Sequence, residues 1–268
     1  NEWQKGHDPL LLKAIADKIG TTVDKIADFE LNLFDVQPAA LGGLQTEFLY
    51  SARLDNLATV FCSVEALVEY SANIDDAEDI CLVALFDHEE VGSRSAHGAG
   101  SPIMAEATRR ISTGLSDKSD TLNPDLYGAV LRKSFVLSCD QAHAIHPNYS
   151  SKHESAHSPK LNAGVVIKSN SNQRYTTNSV TGFIIRELAR GANLPIQEFV
   201  VRNDCPCGST IGPIISGNTG IRTVDIGMPQ LSMHSCREMM GIVDLTNGVE
   251  LFKAYFGGFA ALDDKLEG

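Results

Sequence analysis

Positive charge is scarce in this sequence: Lys and Arg total 22 against 34 Asp and Glu, for a formal net charge of −12. A surface of that sign repels nucleic-acid phosphates and anionic lipid, so neither partner is expected. No apolar run approaches the roughly 18 residues of a membrane-spanning helix, and no secretory signal pattern is present. Cysteine is sparse and scattered (Cys62, Cys81, Cys139, Cys205, Cys207 and Cys236). Four of these six sit in apolar surroundings, which predicts reduced, mostly buried thiols of an intracellular protein. Cys205-Pro206-Cys207 has the wrong spacing for a zinc knuckle and lacks a second pair. The small-residue loop Gly92–Gly100 contains no Gly-Lys-Ser/Thr and so is not a phosphate loop. Its composition instead lets backbone approach a site closely.

What is present is enough apolar material for one sizeable α/β domain with a small appendage: 268 residues, 43% hydrophobic. Asp8-Pro9 opens a helix that Gly20 ends. A short helix over Thr22–Phe29 and a strand over Leu31–Val36 are expected next. Residues 1–48 read as a small unit, or the tail of one, whose core cannot close on its own. From residue 49 onward, apolar strands alternate with amphipathic helices. Strands are expected at 48–51, 80–86, 134–138, 164–168, 198–201 and 222–227. Helices are expected at 57–70, 102–111, 179–190, 210–215 and 243–256, with a polar surface loop over 113–124.

Charge collects where those strands end. Ile80–Phe86 runs into Asp87-His88-Glu89-Glu90, and the C-terminal end of a buried strand is where α/β enzymes place their chemistry. Adjacent carboxylates point in different directions, so one can hold a metal while the other acts as a general base. Asp55 lies where a strand hands over to a helix, and is either an N-cap or a metal ligand. Asp140 follows another apolar strand, His143 lies just beyond it, Lys168 ends a further strand, and His234 lies just past the strand at 222–227. His146, beside Pro147, reads as structural. Carboxylates with an imidazole suit a pair of divalent ions, typically Zn²⁺, with Mn²⁺ or Co²⁺ as substitutes. Such ions sit about 3.5–4 Å apart and clamp both oxygens of a hydrolysis. The chain supplies a bridging Asp55 with Glu90, His234 and Asp140, but no obvious second histidine. The bland alternative makes all of these helix caps and satisfied polar ends.

Five segments carry a resemblance: Ser51–Asn56, Leu85–Ser93, Asp140–Tyr149, Arg202–Pro213 and Gln230–Met239. In content and order they are similar to the aspartyl aminopeptidase family, and the likeness covers nearly the whole chain. It implies a two-zinc enzyme that removes N-terminal Asp or Glu from peptides. The implied fold is an α/β/α sandwich over 49–268, with residues 1–48 the remnant of a smaller β-rich dimerisation domain. The implied assembly is a tetrahedral homododecamer built from dimers. Carried over by motif, Asp55 resembles the bridging ligand, Glu90 and His234 ligands of one zinc, and Asp140 a ligand of the other. Glu89 resembles the general base, itself contacting substrate, and Asp140, His143, Lys168 and Tyr175 resemble substrate-contacting residues. A lone Lys suits an acidic protein that selects an acidic side chain. The family's remaining ligand histidine, in a His-x-Asp motif, has no counterpart: His7-Asp8-Pro9 lacks the spacer. The sequence therefore reads as the C-terminal portion of a longer protein, and alone is not expected to be fully active. A related aminopeptidase with neutral-residue preference and a non-catalytic assembly or cargo member of the fold are the alternatives. Cytosol is the expected compartment, with the vacuole as the alternative.

Overall fold

The computed structural model describes residues 2–72, 74, 77, 79–116 and 125–267. It divides into two compact units, Asn1–Val36 and Gln37–Gly268. In the first, α1 (Glu2–Lys5) precedes α2 (Pro9–Ile19). Asp8 caps α2 as expected, accepting from the Leu10 and Leu11 amides at 2.8 and 3.3 Å, and Gly20 closes it at φ 68°. His7 stacks on Trp3 and Phe29, with ring centroids 4.4 and 5.1 Å away. The expected helix over Thr22–Phe29 shrinks to one 3₁₀ turn, Val23–Lys25. The expected strand Leu31–Val36 is absent: Leu31, Leu33, Phe34 and Val36 are exposed and pair with no described strand. Alternation alone cannot make a strand without a neighbouring edge to bond.

The second unit is a mixed α/β body. Its elements, in order, are β1 (Ala40–Gly42), β2 (Phe48–Ser51), α3 (Leu54–Ser71), α4 (Ile103–Leu115), α5 (Leu126–Lys133), β3 (Phe135–Cys139) and β4 (Ala142–His143). Then come β5 (Val165–Ser169), α6 (Ser179–Gly191), β6 (Ile196–Val200), α7 (Gly212–Thr219), β7 (Arg222–Gly227), β8 (Pro229–Leu231), β9 (Glu238–Gly241) and α8 (Ile242–Glu267). One sheet has the order β3-β7-β5-β6, the other β1-β2-β9-β8-β4. Strand β3 runs parallel to β7 and β5 parallel to β6, while β5 meets β7 antiparallel. Helices α3, α6 and α8 share one apolar core with the first sheet, in which Cys62, Ile184, Ile185, Val224 and Ile226 are fully buried. Arg222 on β7 grips Asp263 on α8 through two contacts of 2.6 Å, a bidentate fork that ties helix to sheet.

Two expectations fail here. Ile80–Phe86 is no buried strand: it belongs to neither described sheet, and Ile80, Leu82 and Leu85 are exposed. Its apolar run expresses a demand for burial, which periodicity alone cannot satisfy. The thiols are also less buried than expected: all six are free, Cys62 is buried, Cys236 is exposed and the rest are intermediate. The expected loop at 113–124 begins inside α4, and 117–124 lie outside the described residues.

The two sheets are joined by strands that pass from one to the other. β7 continues through Met228 into β8, and β3 passes through Asp140 and Gln141 into β4 alongside them. The ladder survives the crossing: the Asp140, Ala142 and Ala144 amides donate to the carbonyls of Ile226, Met228 and Gln230 at 3.0, 2.8 and 2.8 Å. Close approach at this seam requires Gly227, where an added Cβ would lie 1.7 Å from the Asp140 carbonyl oxygen. Gly227→Ala is therefore expected to cost about 3 kcal/mol of stability, read as a lower urea midpoint at unchanged slope.

Candidate metal centre

Three chain segments deliver a ligand-bearing side chain to one point. The first is the start of α3, which is not yet helical: Asp55 has φ −81° and ψ 108°, and regular helix follows Asn56. Asn56 donates through Nδ2 to the Cys139 carbonyl at 2.8 Å, tying this segment to the end of β3. The Asp55 carboxylate thus caps nothing and faces inward, its side chain only 7% exposed. The second is the loop after residue 86. The Ser93 amide donates to the His88 carbonyl at 2.8 Å and the Gly92 amide to that of Glu89 at 2.9 Å. This tight turn uses left-handed backbone at His88, Gly92 and Ser93 and presents Glu89 and Glu90. The third is the β8–β9 turn, where His234 itself adopts φ 66°.

At the meeting point His234 Nε2 lies 2.9 Å from Glu90 Oε1 and 3.3 Å from Asp55 Oδ2. Donor atoms of Asp55, Glu90 and His234 all fall within 4.8 Å of one another. Two carboxylate oxygens and one imidazole nitrogen form a donor set that zinc accepts, so the residues present fit such an ion. The electrostatics point the same way. Burial first, then Asp140 through charge and a side-chain hydrogen bond, then Glu90 and Glu238, push the Asp55 carboxyl up to about 8. A buried carboxyl crowded by others must hold a proton or a cation. Glu89 is raised too, by partial burial and then by Asp140 and Glu90, with Lys168 and His234 opposing. A raised carboxylate is a stronger base than an ordinary one, the direction a proton-accepting role requires.

The other expected residues line the seam beside this cluster. Asp140 occupies the crossing between β3 and β4. Lys168 is buried, 2% exposed, and its Nζ donates to the carbonyls of Asp140 and Gln141 at 2.9 and 3.2 Å. It stands 3.7 Å from the Asp140 carboxylate and 5.1 Å from the centre of the Tyr175 ring. Tyr175 is buried, and burial followed by Cys207 raises its phenol far above the ordinary value. Desolvation, then the charge of Lys168, holds His143 below the ordinary histidine value. His146 packs its ring 5.0 Å from that of Tyr149.

Sequence reasoning missed two buried carboxylates that shape this region. Asp225, on β7, is 0% exposed and accepts from the Thr176 amide, the Thr176 hydroxyl and the Thr210 hydroxyl at 2.6, 2.7 and 2.6 Å. It thereby fixes the segment next to Tyr175. Glu238, 1% exposed, accepts from the amides of Asp55 and His234. Asp225 could have been suspected as a lone acidic residue inside an apolar strand, which must find buried partners.

The chain matches the family described as aminopeptidase I zinc metalloprotease (M18) over residues 1–256. It is 51% identical over 263 residues to a probable aspartyl aminopeptidase of Ricinus communis, covering 97% of this chain and 52% of that protein. A chain in the cryo-EM structure of the Ape4 and Nbr1 complex is 47% identical, with a TM-score of 0.90, over 97% of this chain and 50% of that one. The S. cerevisiae mApe1 dodecamer contributes a chain 31% identical, TM-score 0.86, over 97% of this chain and 57% of that one. The chain thus spans about half the length of the relatives it matches.

In chelated protein the folded state holds a proton on Asp55 that the unfolded chain releases near pH 4. The folded pKa is the higher one, so this group leaves stability intact below about pH 4 and erodes it as pH rises toward 8. Asp55→Asn is expected to raise the stability of the chelated protein at pH 8 by on the order of 1–2 kcal/mol. The same variant should no longer be stabilised by added zinc. Thermal melts at pH 5 and pH 8, with and without zinc, check both expectations.

Proposed function

Because the chain belongs to the M18 family of aminopeptidase I zinc metalloproteases, we propose that it carries the catalytic residues of an aminopeptidase that removes N-terminal Asp or Glu from peptides. The observation behind this reading is the convergence of Asp55, Glu90 and His234 from three separate segments. These residues would hold one zinc, and Asp55, shared with Asp140, would contribute to holding a second. Zinc bound there supplies a Lewis acid that acidifies water and polarises a scissile carbonyl.

The remaining steps belong to the chain. Glu89, with its raised pKa, accepts the proton of the attacking water and passes it to the departing amine. Neutral His143 lines the substrate side of the seam, where it donates or accepts a hydrogen bond without adding charge. Tyr175, whose ring centre lies 5.1 Å from Lys168 Nζ, would contact substrate beside that cation. Lys168 provides the positive charge that an acidic substrate side chain needs; that charge is already felt at Glu89 and His143. The acidic-residue preference is supported by the relatives' names and by this cation. Assembly of the whole protein into a homododecamer is supported by the mApe1 likeness. Among the described residues no helix is long and apolar enough to cross a membrane, and a cytosolic site of action is proposed.

The deciding experiment is hydrolysis of Asp-, Glu- and Leu-linked chromogenic amides by the protein at its native length. Rates are compared before chelation, after it, and after zinc add-back. Metal-dependent cleavage favouring Asp and Glu supports the proposal, a Leu preference transfers it to a neutral aminopeptidase, and no cleavage at any metal load rejects it. Glu89→Gln should lower kcat by about 100- to 10,000-fold at unchanged zinc content; a variant that keeps its activity removes Glu89 from the base role. Lys168→Ala should reduce the ratio of Asp to Leu cleavage about tenfold or more, whereas an unchanged ratio takes Lys168 out of specificity.

A further inference from the structure

We propose that Glu238 is the positioning residue of this metal centre, one buried carboxylate holding the backbones of two ligand residues at once. Glu238 opens β9, opposite Ser51 of β2, and is 1% exposed. Its Oε2 accepts the Asp55 amide at 2.9 Å, and its Oε1 accepts the His234 amide at 2.7 Å. The first bond spans 183 residues and the second spans 4. A local turn explains only the second: the Ser232–Arg237 turn is already closed by the Ser235 amide on the Ser232 carbonyl at 2.9 Å. Nothing in that turn requires an oxygen on Asp55.

The two grips address the two ligands least able to find their geometry alone. His234 sits at φ 66°, and Ser232 beside it at φ 59°, a region L-residues occupy only when held. Asp55 sits in the irregular opening of α3. A carboxylate with both oxygens occupied by main-chain N–H groups is charge-assisted and rigid. It fixes the separation of Asp55 from His234 without touching an ion itself. Metal-site residues that orient ligands in this way commonly change metal affinity 10- to 100-fold when altered.

This inference rests on reading Asp55, Glu90 and His234 as a zinc site, and the test separates the two. Zinc affinity is measured by competition with a chromophoric chelator, on the native-length protein, for wild type, Glu238→Gln, Glu90→Gln and Met240→Ala. Melting of the chelated forms is measured alongside. Gln keeps the shape but replaces one acceptor oxygen by an NH₂ group facing a main-chain N–H. Glu238→Gln is expected to weaken zinc binding 10- to 100-fold. Met240→Ala, a buried change on the same strand, is expected to lower the melting temperature but keep wild-type zinc affinity. If Glu238→Gln binds zinc like wild type while Glu90→Gln does not, the positioning role is overturned and the zinc site stands. If both Glu238→Gln and Met240→Ala lose zinc in step with their melting temperatures, Glu238 is merely structural and the proposal falls. If wild type itself competes for no zinc, the site reading fails and takes the proposal with it. Should Glu238→Gln not fold, Glu238→Asp keeps the charge and shortens the reach. It is judged by the same criterion: weakened binding supports the role and wild-type binding overturns it.

Discussion

The crowding of negative charge around Asp55 is the constraint on which the rest of this architecture depends. A buried carboxylate with Asp140, Glu90 and Glu238 beside it is a poor choice for a stable core. Desolvation and like-charge repulsion both oppose ionisation there. A cation held by this cluster would offset that cost. His234 and the zinc it would share with Asp55 and Glu90 offset the charge, and Lys168 offsets Asp140 from beneath. Without a cation the same cluster would be a source of instability that grows with pH.

The fold keeps such a cluster together by making the surroundings stiff. The seam between the two sheets is a continuous ladder across β3–β4 and β7–β8, and Asp140 stands in it with no room for a Cβ at Gly227, which would lie 1.7 Å from the Asp140 carbonyl oxygen. Around the seam, short polar side chains act as ties. Asn56 binds α3 to β3, Asp225 binds Thr176 and Thr210, and Glu238 binds Asp55 and His234. Asp225 and Glu238 are buried with both carboxylate oxygens accepting, the condition under which a polar network specifies one geometry instead of weakening the core.

Much of this was legible. Asp8 as a cap, Gly20 as a stop and the strand at 222–227 follow from local rules that tertiary context did not override. Glu90, Asp140 and His234 stand out in the sequence because a charge following an apolar run is conspicuous, and Asp55 because a carboxylate between strand and helix is. Where the reading failed, the missing information was not local. Ile80–Phe86 has the composition of a buried strand, but pairing depends on an edge elsewhere. Leu31–Val36 failed for the same reason. The sequence pattern ends the last helix at Phe256, yet α8 runs to Glu267; its apolar residues pack against a surface that periodicity does not display.

By itself the sequence determined the α/β class, the acidic surface, the family resemblance and which side chains could bind a metal. These follow from residue type and from periods of two and 3.6 along one chain. Only the tertiary structure decided that Asp55, Glu90 and His234 donors lie within 4.8 Å of one another. Only there does Lys168 appear as a buried cation beside Asp140, and Glu238 as the carboxylate that accepts from the Asp55 amide 183 residues away. Distances between distant segments are set by packing and close approach of backbones, which are properties of the folded body and have no trace in local order along the chain.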